Sequence, residues 1–207
     1  AEEFWQIYGL PVLPVPLNRP SRRRKLPDKL YVDRMAKQQA IVMEIRHFHE
    51  RGCPVLVGLR SVRESEDLSR KLHDVGISHQ VLNAVRHKEE AQVIALAGQE
   101  GRVTLATNMA GRGTDIRLGP GVEERGGLHV IAAEKQDSAR IDRQLIGRCG
   151  RQGERGSARF FLSFDDELIE RFGPVGMDPG GFVRKEDGEI EAIGLFLPLF
   201  QRTQKAA

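Results

Sequence analysis

Two short stretches of this 207-residue chain combine glycine with arginine: Asn108-Met109-Ala110-Gly111-Arg112-Gly113-Thr114-Asp115, and Gln144-Leu145-Ile146-Gly147-Arg148-Cys149-Gly150-Arg151-Gln152-Gly153. The combination suits an anion of high charge. Glycine lets the backbone approach a ligand or take positive φ, and the planar guanidinium fork binds phosphate oxygens two at a time. A carboxylate such as Asp115 accepts from sugar hydroxyls or holds a basic side chain in place. Either stretch alone also reads as a surface turn with solvated arginines, because both residue types are common in loops. Two of them, each at the end of a βα unit, point to a site.

The first stretch follows an apolar run, Val103 to Ala106, that reads as a buried strand; the second closes a helical segment from Ser138 to Leu145. From about residue 53 strands and helices alternate, the pattern of a parallel sheet with crossover helices. Strands are expected at Pro54 to Gly58, His79 to Leu82, Val103 to Thr107, Leu128 to Ala132 and Ser157 to Leu162. Ser61 and Glu64 form a capping box for a helix that closes near Gly76. A second helix runs from about Arg86 to Ala97, and Ser138 and Asp165 are further N-cap candidates. Ligands of open α/β sheets bind outside the carboxyl ends of the strands. Asn108 to Asp115 falls there, and the Gly147–Arg151 turn must fold back to the same edge.

Ahead of this core, Asp33 caps an expected helix reaching Arg51, with an apolar stripe of Ala36, Ala40, Ile41, Ile45 and Phe48. Residues 1–30 are proline-rich and read as an irregular strap, with one strand expected from Val12 to Val15. Residues 31–173 form the main domain. Residues 174–207, rich in glycine, proline and charge, read as a linker or small extension.

At 40% hydrophobic and 29% charged the composition is that of an ordinary globular chain. Its formal charge of +3 permits nucleic acid or acidic lipid as a partner without demanding either. The local run Arg22-Arg23-Arg24-Lys25 reads as a solvated loop that could lean on anionic headgroups. Cys53 and Cys149 have no ligand spacing, which argues against a structural zinc and fits a reducing cytoplasm. His87 and His129 have no visible base or metal partner and read as structural. No apolar run reaches the ~18 residues of a membrane span, and the opening residues do not read as a leader. Ile193 to Phe200, the longest apolar segment, is expected to dock against a neighbouring domain.

One chemical requirement is unmet within the chain. Hydrolysis of a nucleoside triphosphate in a P-loop protein needs GxxxxGK[ST] and a metal-holding aspartate at a strand end. Neither GxxxxGK[ST] nor a DEAD-like acidic string at a strand end occurs.

The motifs resemble those of the SecA preprotein translocase ATPases. Thr107 to Ile116, TNMAGRGTDI, is similar to that family's helicase motif V, and Gln144 to Gly153 to its motif VI. Glu2-Glu3-Phe4, Ile7-Tyr8, Asn18-Arg19-Pro20, Pro54 to Gly58, Val81 to Ala84, Gly126-Gly127-Leu128 and Asp166-Glu167-Leu168 follow in the family's order. Departures occur as well: the family usually has arginine at Ile146 and serine at Cys149, and Gln136 and Ala139 replace its histidine and arginine. This resembles a divergent member.

The resemblance implies an α/β fold: a RecA-like parallel sheet with helices on both faces, the C-terminal lobe of a P-loop NTPase/helicase motor. It implies an excised piece, the second nucleotide-binding domain, with ATP and Mg2+ held mainly by a first lobe upstream. Arg151 becomes the arginine finger, with Arg148 beside it on the phosphates. Asp115 and Thr114 face the nucleotide, Gly111, Gly113 and Gly147 allow backbone approach, and Arg112 with Gln144 couples closure to lobe movement. The implied partners are the first nucleotide-binding domain, a preprotein, a SecY-type channel and an anionic membrane surface. The implied location is the cytoplasm, peripheral to the inner membrane. The same motifs occur on nucleic-acid helicase lobes, but aromatics are only 6% and lie mostly in apolar surroundings, so no nucleic acid is expected. A degenerate, non-catalytic binding lobe is the third reading.

Overall fold

Short apolar runs separated by helices assemble into a seven-stranded parallel sheet in the computed structural model of the chain. The structure describes residues 2–82, 87–107, 114–173, 183, 185–190, 194 and 196–206. The strands are β1 (Arg22–Lys25), β2 (Lys29–Tyr31), β3 (Val55–Leu59), β4 (Gln80–Leu82), β5 (Val103–Thr107), β6 (Leu128–Ala132) and β7 (Arg155–Ser163). Their order is β1-β7-β6-β3-β5-β4, and β2 pairs with β7 beyond β1. Every residue of β3, β5 and β6 is buried, as a parallel sheet covered on both faces requires.

Alternation along the strands sends side chains to two cores. Leu56, Ala106, Val130 and Phe160 face helices α4 (His87–Leu96), α5 (Ala139–Ile146) and α7 (Leu197–Ala206) through Ile94, Leu145 and Phe200. Val55, Val57, Leu105 and Phe161 face α2 (Arg34–Glu50) and α3 (Val62–Asp74) through Ile41, Ile45, Leu68 and Leu72. The sheet is thus doubly covered. Three helices start at side-chain caps: Asp33 accepts from Ala36 N at 2.8 Å, Ser61 from Glu64 N at 3.2 Å, and Ser138 from Ile141 N at 3.4 Å. Each such cap stabilises its helix by about 1 kcal/mol.

Four local expectations are corrected. Residues 12–15 form no strand, because Pro11, Pro14 and Pro16 remove the donors a ladder needs; after α1 (Glu2–Tyr8) this segment runs exposed. Arg22 to Lys25 is no loop but the strand β1, paired Arg22↔Arg155 through Lys25↔Ala158. The cap of α6 (Glu167–Phe172) is Asp166 rather than Asp165. Asp165 instead accepts from Arg34 N at 2.8 Å, while Asp166 is buried with Lys37 and accepts from Ser163 N at 3.0 Å. Phe200 is buried in the chain's own core, so the apolar C-terminal segment docks on this sheet rather than on a neighbour. Of the linker or small extension expected at residues 174–207, residues 174–182, 184, 191–193, 195 and 207 lie outside the described residues.

Candidate functional site

α5 carries the second Gly-Arg stretch, and its seat on the sheet is set by one glycine. Gly58 in β3 leaves the hollow that Leu145 fills; a β-carbon there would overlap the leucine side chain. The helix ends at Gly147, where a β-carbon would lie 2.8 Å from the Arg143 carbonyl. The chain then turns through three residues at positive φ, Gly150 (60°), Gln152 (51°) and Gly153 (82°), before β7. A non-glycine residue at positive φ is uncommon and marks a segment held by its surroundings.

Within this turn Arg151 makes two contacts: Nε donates to the Gly147 carbonyl at 3.1 Å, and Nη1 to Asp115 Oδ1 at 2.5 Å. Its side chain stays about one-third exposed, at 35%. Arg148 is buried, and its Nη1 donates to the Thr114 carbonyl at 3.1 Å. Burial, and next the charge of Arg151, holds the Arg148 guanidinium below its ordinary range, with Asp115 pulling the other way. Two guanidiniums that repel each other thus both lie near the Asp115 carboxylate. That charge set fits an incoming polyanion, which would relieve the repulsion.

The structure joins Arg148, Arg151, Thr114 and Asp115. Gln144 sits half-buried on α5, and Gly147 contributes its carbonyl to Arg151. Gly111, Arg112 and Gly113, with Asn108 to Ala110, lie outside the described residues. The meeting point is not outside the carboxyl ends of the strands. Gly119 N donates to the Gly98 carbonyl at 3.0 Å, ahead of β5, and Cys149 and Gly150 pack on Gly156 at the start of β7. The segment after residue 113 therefore runs back along the sheet, and Asp115 meets Arg151 near the amino ends.

Sequence reasoning missed the opposite wall. A cleft of about 890 Å³ is lined by Asn18, Arg19, Arg23, Asp115, Gly150 and Arg151, among others. Arg19 and Arg23 carry no local signal for this role. Alternation along β1 turns Arg23 toward this cleft while Arg22 and Arg24 line a separate groove. His129 is stacked on Phe48 at 3.7 Å and bonded to Ser157 Oγ at 2.8 Å, a packing role. The side chain of His87 is outside the described set. Among the described residues no three His, Cys, Asp or Glu gather to hold a metal, and no helix is long and apolar enough to cross a membrane.

The SecA P-loop domain family matches residues 20–125 and 120–179. The protein translocase subunit SecA of Solidesulfovibrio magneticus is 53% identical over 173 residues, covering 84% of this chain and 21% of the relative. That of Thermosipho melanesiensis is 49% identical over 205 residues, covering 99% and 24%. The chain thus spans a fifth to a quarter of the length of these relatives. Among solved structures, the E. coli DEAD-box protein SrmB (bound to regulator of ribonuclease activity A) aligns with a TM-score of 0.54 and 23% identity, covering 76% of this chain and 86% of that one. The yeast DEAD-box splicing factor Prp28 aligns with a TM-score of 0.56 and 16% identity, covering 77% and 33%. These likenesses show the RecA-like fold.

Proposed function

The chain belongs to the SecA family, and from that premise we propose that it is the second nucleotide-binding lobe of an ATP-driven preprotein translocase motor. The lobe is centred on residues 31–173; the strap at residues 1–30 adds β1 and most of β2 to its sheet, and residues 174–207, whose α7 packs on its core, lead into a scaffold region. ATP with Mg2+, held mainly by a first lobe, supplies the phosphoryl group to be transferred. This lobe closes over it. Arg151 reaches from Asp115 toward the phosphate, and Arg148, braced on the Thr114 carbonyl, adds charge beside it. Such charge acts where the transferring phosphoryl oxygens develop their greatest charge, so it accelerates the chemical step. Arg112 and Gln144 couple closure to lobe movement. The partners are a preprotein, a SecY-type channel and an anionic membrane surface, reached from the cytoplasmic side. No nucleic acid is included, because the likeness to DEAD-box proteins is one of fold alone.

The observation that carries this reading is Arg151 itself: a part-exposed guanidinium paired with Asp115, and a second arginine buried beside it. The test is Arg151→Ala in the full-length protein. The expected outcome is a kcat lowered by about 10³ to 10⁵ with ATP binding nearly intact. A raised KM with unchanged kcat would make Arg151 a ground-state clamp and transfer the finger role to Arg148.

A further inference from the structure

We propose that Arg23, on the edge strand β1, is the positioning residue that holds the finger turn in its working geometry. The inference rests on the reading of Arg151 as the finger. Arg23 Nε donates to the Cys149 carbonyl at 2.8 Å, two residues before Arg151 and 126 positions away in sequence. Gly150 lies against the same arginine: a β-carbon there would sit 2.8 Å from Arg23 Cβ and 3.1 Å from its Cα. Below, Gly156 faces the other side of the turn, where a β-carbon would sit 2.7 Å from Gly150 N and 2.9 Å from Cys149 Cβ. The turn is therefore clamped between β1 and the start of β7, and the pairing Arg23↔Gly156 sets the width of the clamp.

This clamp acts on the backbone that aims Arg151. Gly150 takes φ 60° freely, but Gln152, next to Arg151, is a non-glycine residue at φ 51°, a conformation that relaxes unless neighbours hold it. Arg23 does so through a single planar N–H aimed at one carbonyl, which a flexible ammonium reproduces less well. Arg19 packs on Gly153 at the far end, a β-carbon there meeting Arg19 Cβ at 2.8 Å. Arg23 acts through Cys149 rather than on a phosphate. Its loss should misplace the finger while leaving ground-state nucleotide contacts in place, and a misplacement of about 1 Å can cost about 10²-fold in rate.

The experiment uses the full-length protein and four variants: Arg23→Gln, Arg23→Lys, Arg151→Ala and the Arg23→Gln/Arg151→Ala double. Readouts are kcat and KM for ATP, the affinities for ADP and for ADP with aluminium fluoride, and the melting midpoint. Arg23→Gln should lower kcat by about 10- to 100-fold. The ADP–aluminium fluoride affinity should fall in step, while ADP affinity and KM stay near wild type. Arg23→Lys, which keeps a donor, should recover part of the rate and covers the case in which the glutamine variant does not fold. In the Arg151→Ala background, Arg23→Gln should cost nothing further, because residues acting as one unit are non-additive. Multiplicative losses in the double variant overturn the proposal, as does a fall in ADP affinity parallel to that of the analogue. Wild-type kcat in Arg23→Gln alongside a slow Arg151→Ala overturns the role of Arg23 alone. An unimpaired Arg151→Ala overturns the finger reading itself, and Arg23's role with it.

Discussion

Arg151 Nη1 and Asp115 Oδ1 lie 2.5 Å apart although 36 residues separate them in sequence. The pair bridges the two Gly-Arg stretches at the mouth of the cleft. Its members are 35% and 49% exposed, so water screens the attraction and the bond can open to an anion at little cost.

Asp115→Asn should therefore change stability by less than about 1 kcal/mol, read as the urea midpoint of the 207-residue chain. In the full-length protein the same change should lower ATP turnover, because it removes the group that steadies Arg151. A large stability loss with normal turnover would make the pair structural.

Arg151→Lys should regain little of the turnover lost in Arg151→Ala. An ammonium keeps the charge but not the two-pronged fork. Comparing kcat for the two variants checks this, and near-complete recovery would show that charge alone suffices.

The 207-residue chain by itself should release no phosphate from ATP above background, since it contains no GxxxxGK[ST] loop. Its nucleotide binding should be weaker than micromolar, because half the contacts must still offset at least ~4 kcal/mol of lost translational and rotational freedom. Steady turnover that vanishes in Arg151→Ala, or tight binding in calorimetry, would mean the chain holds a complete site.

Glu134 should tilt stability with pH. Burial foremost, and then Glu64 and Asp166, pushes its carboxyl up to about 8, against the pull of Lys37 and Arg60. From the ordinary value of 4.5 to about 8 the unfolded chain ionises first. The stability present at low pH is therefore lost as pH rises through that window, levelling above it. Glu134→Gln should remove this slope, read as the difference in urea midpoint between variant and wild type at each pH. Using the difference cancels His129, whose lowered pKa acts oppositely, costing stability as pH falls below 6.5.

Gly58→Ala should cost about 1–3 kcal/mol by overpacking against Leu145. Because Leu145 seats α5, the variant should also slow the full-length enzyme. Normal turnover in a destabilised Gly58→Ala would show that the finger turn tolerates displacement of its helix.

The alternation of strands and helices, and the caps Asp33, Ser61 and Ser138, were legible in the residues because they depend on neighbours within about four positions. The two Gly-Arg stretches were legible for the same reason. Tertiary structure alone decided that Arg22 to Lys25 is a strand, since its partner, Arg155 to Ala158, lies over a hundred residues away. It decided that Asp166 rather than Asp165 stands at the N-cap of α6, while Arg34 and Lys37 reach Asp165 and Asp166 from another helix. It also brought Asp115 back to the amino ends of the strands and set Arg23 against the finger turn. Local rules act over a few peptide units. A strand's partner and a buried charge's counter-ion are set by whatever the packed core brings opposite, and the order of residues along the chain does not contain that distance.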